Sequence, residues 1–137
     1  MKIQQIDHLN LSVTDLEQSV TWYQRVLGFA QVDGGVQDGV PWAIIRAGDA
    51  MLALYHYPQL EHHDRFELRN RGLHGLAHFA LRITDREAWQ EVIANEQLEL
   101  LYDGVVEWPH STAWYIADPT GYEIEIALWH NNQIAFD

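Results

Sequence analysis

The sequence predicts an α+β fold built from two βαβββ modules, and three observations carry that prediction. A segment recurs along the chain, each copy reads strand then helix, and glycine-rich turns divide the rest of each module into short strands. The recurrence is plain when Ile6-Asp7-His8-Leu9-Asn10-Leu11-Ser12-Val13-Thr14-Asp15-Leu16-Glu17 is laid on Leu76-Ala77-His78-Phe79-Ala80-Leu81-Arg82-Ile83-Thr84-Asp85-Arg86-Glu87. The offset is 78 − 8 = 70 residues, and His, Leu, Thr, Asp and Glu recur in step.

Leu9, Leu11 and Val13 alternate with His8, Asn10 and Ser12, and Phe79, Leu81 and Ile83 alternate with His78, Ala80 and Arg82. Period-two alternation is the mark of a strand with one apolar face. Thr14-x-x-Glu17 and Thr84-x-x-Glu87 then read as capping boxes, each hydroxyl covering a free backbone N–H at a helix start. The first helix carries Leu16, Val20, Tyr23 and Leu27 on one stripe and ends at Gly28; the second carries Trp89, Val92 and Ile93. Strands are expected at Phe29–Val32, Trp42–Arg46 and Met51–Tyr57, with Asp33-Gly34-Gly35 as a turn, and again at Leu98–Tyr102, Thr112–Ile116 and Tyr122–Trp129. The expected organisation is one domain over residues 1–137: a first module over about 1–57, a polar linker or flap over about 58–75, and a second module over about 76–130. Two such units make a curved mixed sheet with open edges, which a homodimer would close into barrels.

Composition narrows the function classes. Hydrophobic residues are 47 % of 137, a globular proportion. There is no cysteine, so any metal must be held by nitrogen and oxygen. Eight Lys and Arg against 20 Asp and Glu give a formal charge of −12, which repels a phosphate backbone and excludes nucleic acid as an expected partner. That charge reads mainly as solubility. No apolar run is long enough for a membrane span, and the N-terminus lacks a signal-peptide core, so a cytoplasmic protein is expected.

Alternation also says where polar groups point. His8 shares a face with Asn10 and Ser12, His78 takes its place in the repeat, and Glu123 and Glu125 share a face of the last strand. If the sheet is concave toward these faces, His8, His78 and Glu125 meet in one cavity. Two imidazoles and a carboxylate on one side of an ion leave several coordination positions open for substrate. A lone histidine on a strand is ordinarily structural; equivalent positions in two repeats are what single this pair out. Glu61-His62-His63-Asp64, His74, His56 and His130 are read as linker and strand-end residues without a ligand role.

These motifs resemble the vicinal oxygen chelate superfamily, which holds glyoxalase I, fosfomycin and bleomycin resistance proteins and type I extradiol dioxygenases. The resemblance rests on Asp7–Val13, Asp15–Val20, Trp22-Tyr23 and Leu27-Gly28-Phe29 in the first module. In the second it rests on Gly75–Leu81 and Asp118-Pro119-Thr120-Gly121-Tyr122-Glu123-Ile124-Glu125. It implies one divalent metal per site (Fe, Mn, Ni or Zn) on His8, His78 and Glu125, a small-molecule substrate that chelates the ion through neighbouring oxygens, and a homodimer whose sites draw on both subunits. Glyoxalase I has a further Glu ligand where this chain has Ala53, and the phosphonate-holding loop of fosfomycin transferases is here Val105–His110, with no Lys or Arg. Bleomycin resistance proteins, metal-free acidic binders, would leave the triad unexplained. The extradiol pattern fits best from Tyr115 to Glu125, which implies Tyr115 and His110 as catalytic residues, although the spacing from His110 to Tyr115 is shorter than in that family.

Overall fold

The computed structural model describes residues 1–136 and divides into a first unit, Met1–His62, and a second that begins at His63. In the first unit β1 (Leu9–Val13), α1 (Leu16–Leu27), β2 (Ala30–Gln37), β3 (Val40–Ala47) and β4 (Ala50–His56) follow in order. In the second, α2 (Arg65–Asn70) precedes β5 (Phe79–Ile83), α3 (Arg86–Glu96), β6 (Val106–Glu107), β7 (Ser111–Ala117) and β8 (Glu123–Trp129). Each unit makes its own four-stranded mixed sheet, in the orders β1-β4-β3-β2 and β5-β8-β7-β6. The first strand lies parallel to the last in both, and the remaining pairs are antiparallel. This is the expected α+β duplication of βαβββ modules.

In the first sheet Leu9, Leu11 and Val13 stand beside Leu52, Leu54 and His56, and α1 packs on the sheet with Ser19, Tyr23 and Val26 buried. The buried stripe is thus rotated from the expected one, since Leu16, Val20 and Leu27 are only half-buried. In the second sheet Phe79, Leu81 and Ile83 stand beside Ile124, Ile126 and Leu128, which in turn face Ile116, Trp114 and Thr112. Trp89 of α3 is buried, and the Arg86 guanidinium lies 5.5 Å from the Trp114 ring centroid. Among the described residues no helix is long and apolar enough to cross a membrane.

Four further expectations need correction. The helix caps are Asp15 and Asp85, whose carboxylates accept from the backbone N–H groups of Gln18 and Ala88 at 2.8 and 2.9 Å. A carboxylate at the cap also meets the positive end of the helix dipole, which a threonine hydroxyl one residue earlier does not. The turn expected at Asp33-Gly34-Gly35 is instead strand: β2 runs through it with a bulge between Gln31 and Asp33, and the hairpin turns at Asp38-Gly39, both at positive φ. Gly34 serves close approach, because a Cβ there would lie 2.6 Å from Gln31 Nε2 and 3.1 Å from the Trp42 carbonyl oxygen. The strand expected at Leu98–Tyr102 does not form. Tyr102, Asp103 and Gly104 all take positive φ, which ends any extended run and leaves the two-residue β6 as the edge. Finally, the linker contains α2, capped reciprocally by Asp64 and Glu67.

Candidate active site

The open face of the second sheet gathers a cluster of polar side chains. Glu125 sits on β8 between Ala80 of β5 and Tyr115 of β7, and Glu123 lies two residues back on the same face, opposite Ala117. His78 immediately precedes β5. Its Nε2 lies 3.1 Å from Glu125 Oε2, and its Nδ1 lies 3.7 Å from Glu123 Oε1. The imidazole is half-buried, whereas the Glu123 side chain is only 3 % exposed. A buried carboxylate requires partners, and Glu123 has them: Arg65 Nη1 at 3.1 Å and the Tyr102 hydroxyl at 3.0 and 2.8 Å from its two oxygens.

These groups open into a cavity of about 320 Å³. Arg65, His78 and Glu123 form its polar part, and Tyr102, Val106, Trp108 and Tyr115 its walls. The Tyr115 ring meets both Tyr102 and His78 edge-on, at centroid separations of 5.0 and 5.7 Å. Burial is the first cause that holds the Tyr115 phenol above its ordinary value; the nearby Glu125 charge adds to it, and a hydrogen bond with Trp108 opposes it. Burial also raises Tyr102, followed by its hydrogen bond to Glu123 and that carboxylate's charge, against a lowering by Arg65. Both phenols therefore act near neutral pH as hydrogen-bond donors, not as bases.

The expected site residues fall into three groups. His78, Glu125 and Tyr115 come together. His8 precedes β1 in the first unit as His78 precedes β5; it is exposed, with Nδ1 2.7 Å from Asp7 Oδ1. His110 stands just before β7, its carbonyl accepting the His130 N–H at 2.9 Å, and the residues that line the cavity do not include it. Among the described residues no group of three or more His, Cys, Asp or Glu is arranged to hold a metal ion. The pair His78–Glu125 does fit one: two ligands with bonds of about 2.1 Å to a shared ion stand roughly 3.0–3.4 Å apart, and the observed separation is 3.1 Å. Its nitrogen and oxygen donors suit a first-row divalent cation. Ala53, buried on the open face of β4, offers no ligand.

Sequence reasoning missed Arg65, Tyr102 and the buried role of Glu123. The Asp64-x-x-Glu67 pattern was the available signal for α2 and hence for Arg65. The Glu61–Asp64 cluster serves that helix: Asp64 caps it, and His63 meets Glu67 at 3.5 Å and Arg71 at 2.6 Å. A larger hollow of about 590 Å³ lies in the first unit beside α1 and is lined by Leu16, Val20, Pro41 and His56 among others, on the helix side of that sheet.

The model of the Glyoxalase/Bleomycin resistance protein/Dioxygenase superfamily matches residues 5–126. The chain belongs to this superfamily. Solved structures share the superfamily fold at low identity. A glyoxylase/bleomycin resistance protein/dioxygenase domain from Frankia sp. EAN1pec is 18 % identical, with 96 % of each chain covered and a TM-score of 0.79. A glyoxalase family protein from Enterococcus faecalis is 17 % identical over 93 % of this chain and 99 % of that one, with a TM-score of 0.74. A mutant of the fosfomycin resistance protein FosX from Listeria monocytogenes, complexed with Mn(II) and 1S,2S-dihydroxypropylphosphonic acid, is 12 % identical over 93 % of this chain and 94 % of that one, with a TM-score of 0.72. No curated protein matches the chain in sequence.

Proposed function

We propose that this superfamily member is a one-metal enzyme in which His78 and Glu125, together with His8, hold a divalent cation, and that its substrate is a small aromatic molecule with two neighbouring oxygens. The observation that carries this reading is the 3.1 Å approach of His78 Nε2 to Glu125 Oε2 beside an aromatic-walled cavity. The homodimer implied by the family resemblance would let each site draw ligands from two copies. The cation would supply Lewis acidity and a template for the two substrate oxygens.

The chain's own residues do the rest. Tyr102, Val106, Trp108 and Tyr115 bind the flat part of the substrate and exclude water. Arg65 neutralises Glu123, so the carboxylate does not present an unbalanced charge to an aromatic ring. Tyr115, kept protonated by burial, donates a hydrogen bond at the reacting oxygens and is the group we assign to proton handling; His110 has no part in this arrangement. Ring cleavage of the extradiol type is the subtype these features suit best. A glyoxalase-like lyase or isomerase is less well supported, since Ala53 can neither ligate nor move a proton.

A second reading, a metal-free binder of a cationic or aromatic compound, draws on the same aromatic walls and on the −12 charge. Metal analysis of freshly purified protein separates the two: about one ion per chain, lost in His78→Ala, supports the enzyme, and no uptake from added metal supports the binder. Oxygen consumption with a panel of catechols then tests the subtype. Activity is expected only with reduced iron or manganese, and a metal-loaded protein that consumes no oxygen with any catechol removes ring cleavage.

A further inference from the structure

The linker helix places Arg65 where it governs the chemistry of His78. Its Nη1 lies 3.1 Å from Glu123 Oε1 and 3.4 Å from His78 Nδ1. A guanidinium can only donate, so Nδ1 accepts from it, and the ring proton then sits on Nε2, which faces Glu125 at 3.1 Å. The opposite tautomer also has a partner within reach. Glu123 Oε1 stands 3.7 Å from the same Nδ1, a few tenths of an ångström outside hydrogen-bond range. The Tyr102 hydroxyl, on both oxygens of that carboxylate, holds it against the ring.

We propose that the Arg65–Glu123 pair is a positioning device that lets His78 present either neutral tautomer. Arg65 donates to Nδ1 when Nε2 carries the proton toward Glu125. Glu123 accepts from Nδ1–H when Nε2 offers its lone pair to a cation. Neither tautomer leaves a ring nitrogen without a partner in a half-buried site, where an unmade hydrogen bond is costly. An outer carboxylate of this kind also fixes the ring's orientation and its basicity as a ligand. The second half rests on the metal reading above; the first half does not.

Long-range ¹⁵N–¹H correlation of histidine-labelled protein reads the tautomer directly, at roughly pH 8.5 where an ordinary imidazole is neutral, with and without Zn(II). Without zinc, His78 is expected as the Nε2–H form, and zinc is expected to move the proton to Nδ1. R65M removes the donor and keeps the bulk; the metal-free ring should stay Nε2–H, held by Glu125, while its Nδ1 resonance moves downfield to that of an imine nitrogen without a hydrogen bond, and zinc affinity should be undiminished. E123Q should weaken zinc binding about 10- to 100-fold, with the far-UV circular dichroism unchanged. An Nδ1 resonance unchanged in R65M overturns the first half, whether or not E123Q folds. Wild-type zinc affinity in a folded E123Q overturns the second. If the wild-type chain binds no zinc, the metal reading and the second half fall together, and the R65M Nδ1 resonance still decides the first.

Discussion

The two modules share a backbone and differ in what they hang on it. Asn10 stands opposite Ala53 in the first sheet, and Ala80, 70 residues later, stands opposite Glu125 in the second. Ala53 in turn faces Ile44, where Glu125 faces Tyr115. The positions that carry a carboxylate and a phenol in one module therefore carry a methyl and a butyl group in the other. His8 meets the side chain of its neighbour Asp7, whereas His78 is enclosed by Glu125, Glu123 and Arg65. Duplication supplied two places for a histidine beside a last strand, and among the described residues carboxylates of the last strand meet that histidine in the second module.

Substitutions that erase or invert this asymmetry test it. The largest effect is expected for Glu125→Ala, which makes the second module resemble the first: divalent-metal affinity should fall at least about 100-fold by titration calorimetry, equivalent to roughly 2.7 kcal/mol, while the fold is kept. The converse change, Ala53→Glu, places a carboxylate at a position 3 % exposed and without the Arg65-like partner that Glu123 has. It should lower stability by about 2–3 kcal/mol in urea unfolding. Arg65→Ala leaves Glu123 buried with its cation removed. A loss of about 1–3 kcal/mol is expected, and it should be largely absent in the Arg65→Ala, Glu123→Gln double variant.

Tyr102 and Tyr115 impose a pH dependence. Their folded values lie above the ordinary phenol value of about 10, with burial as the first cause in each. A group raised on folding contributes stability that is complete below its unfolded value and is lost as pH rises through the folded one. Thermal melts should hold from neutral pH to about pH 9 and decline above about pH 10, less steeply in Tyr115→Phe. The smallest effect concerns the helix ends. Gly28 closes α1 at φ 68°, but Gln97 closes α3 at φ 51°, so Gln97→Gly should stabilise by about 0.5–1 kcal/mol.

Much of this architecture was legible because it is local or periodic. Alternation put Glu123 and Glu125 on one face, the 70-residue offset paired His8 with His78, and Gly28 marked the end of α1. What escaped depended on side chains meeting across sequence. Gly34 looked like a turn residue, because a strand position that tolerates no Cβ is not distinguishable in sequence from one that needs a positive φ. Leu98–Tyr102 alternated well enough for a strand, but the consecutive positive φ values from Tyr102 to Gly104 belong to a turn that carries the Tyr102 hydroxyl to Glu123. Arg65 was hidden in a segment whose polar composition reads as linker, although its own capping box announced a helix.

Whether the second module's pair holds a divalent cation is tested most directly by visible absorption during Co(II) titration. Ligand-field bands are expected to saturate at one equivalent per chain and to vanish in both His78→Ala and Glu125→Ala. A spectrum no different from free Co(II), or saturating bands that survive both substitutions, would contradict a metal centre built on His78 and Glu125.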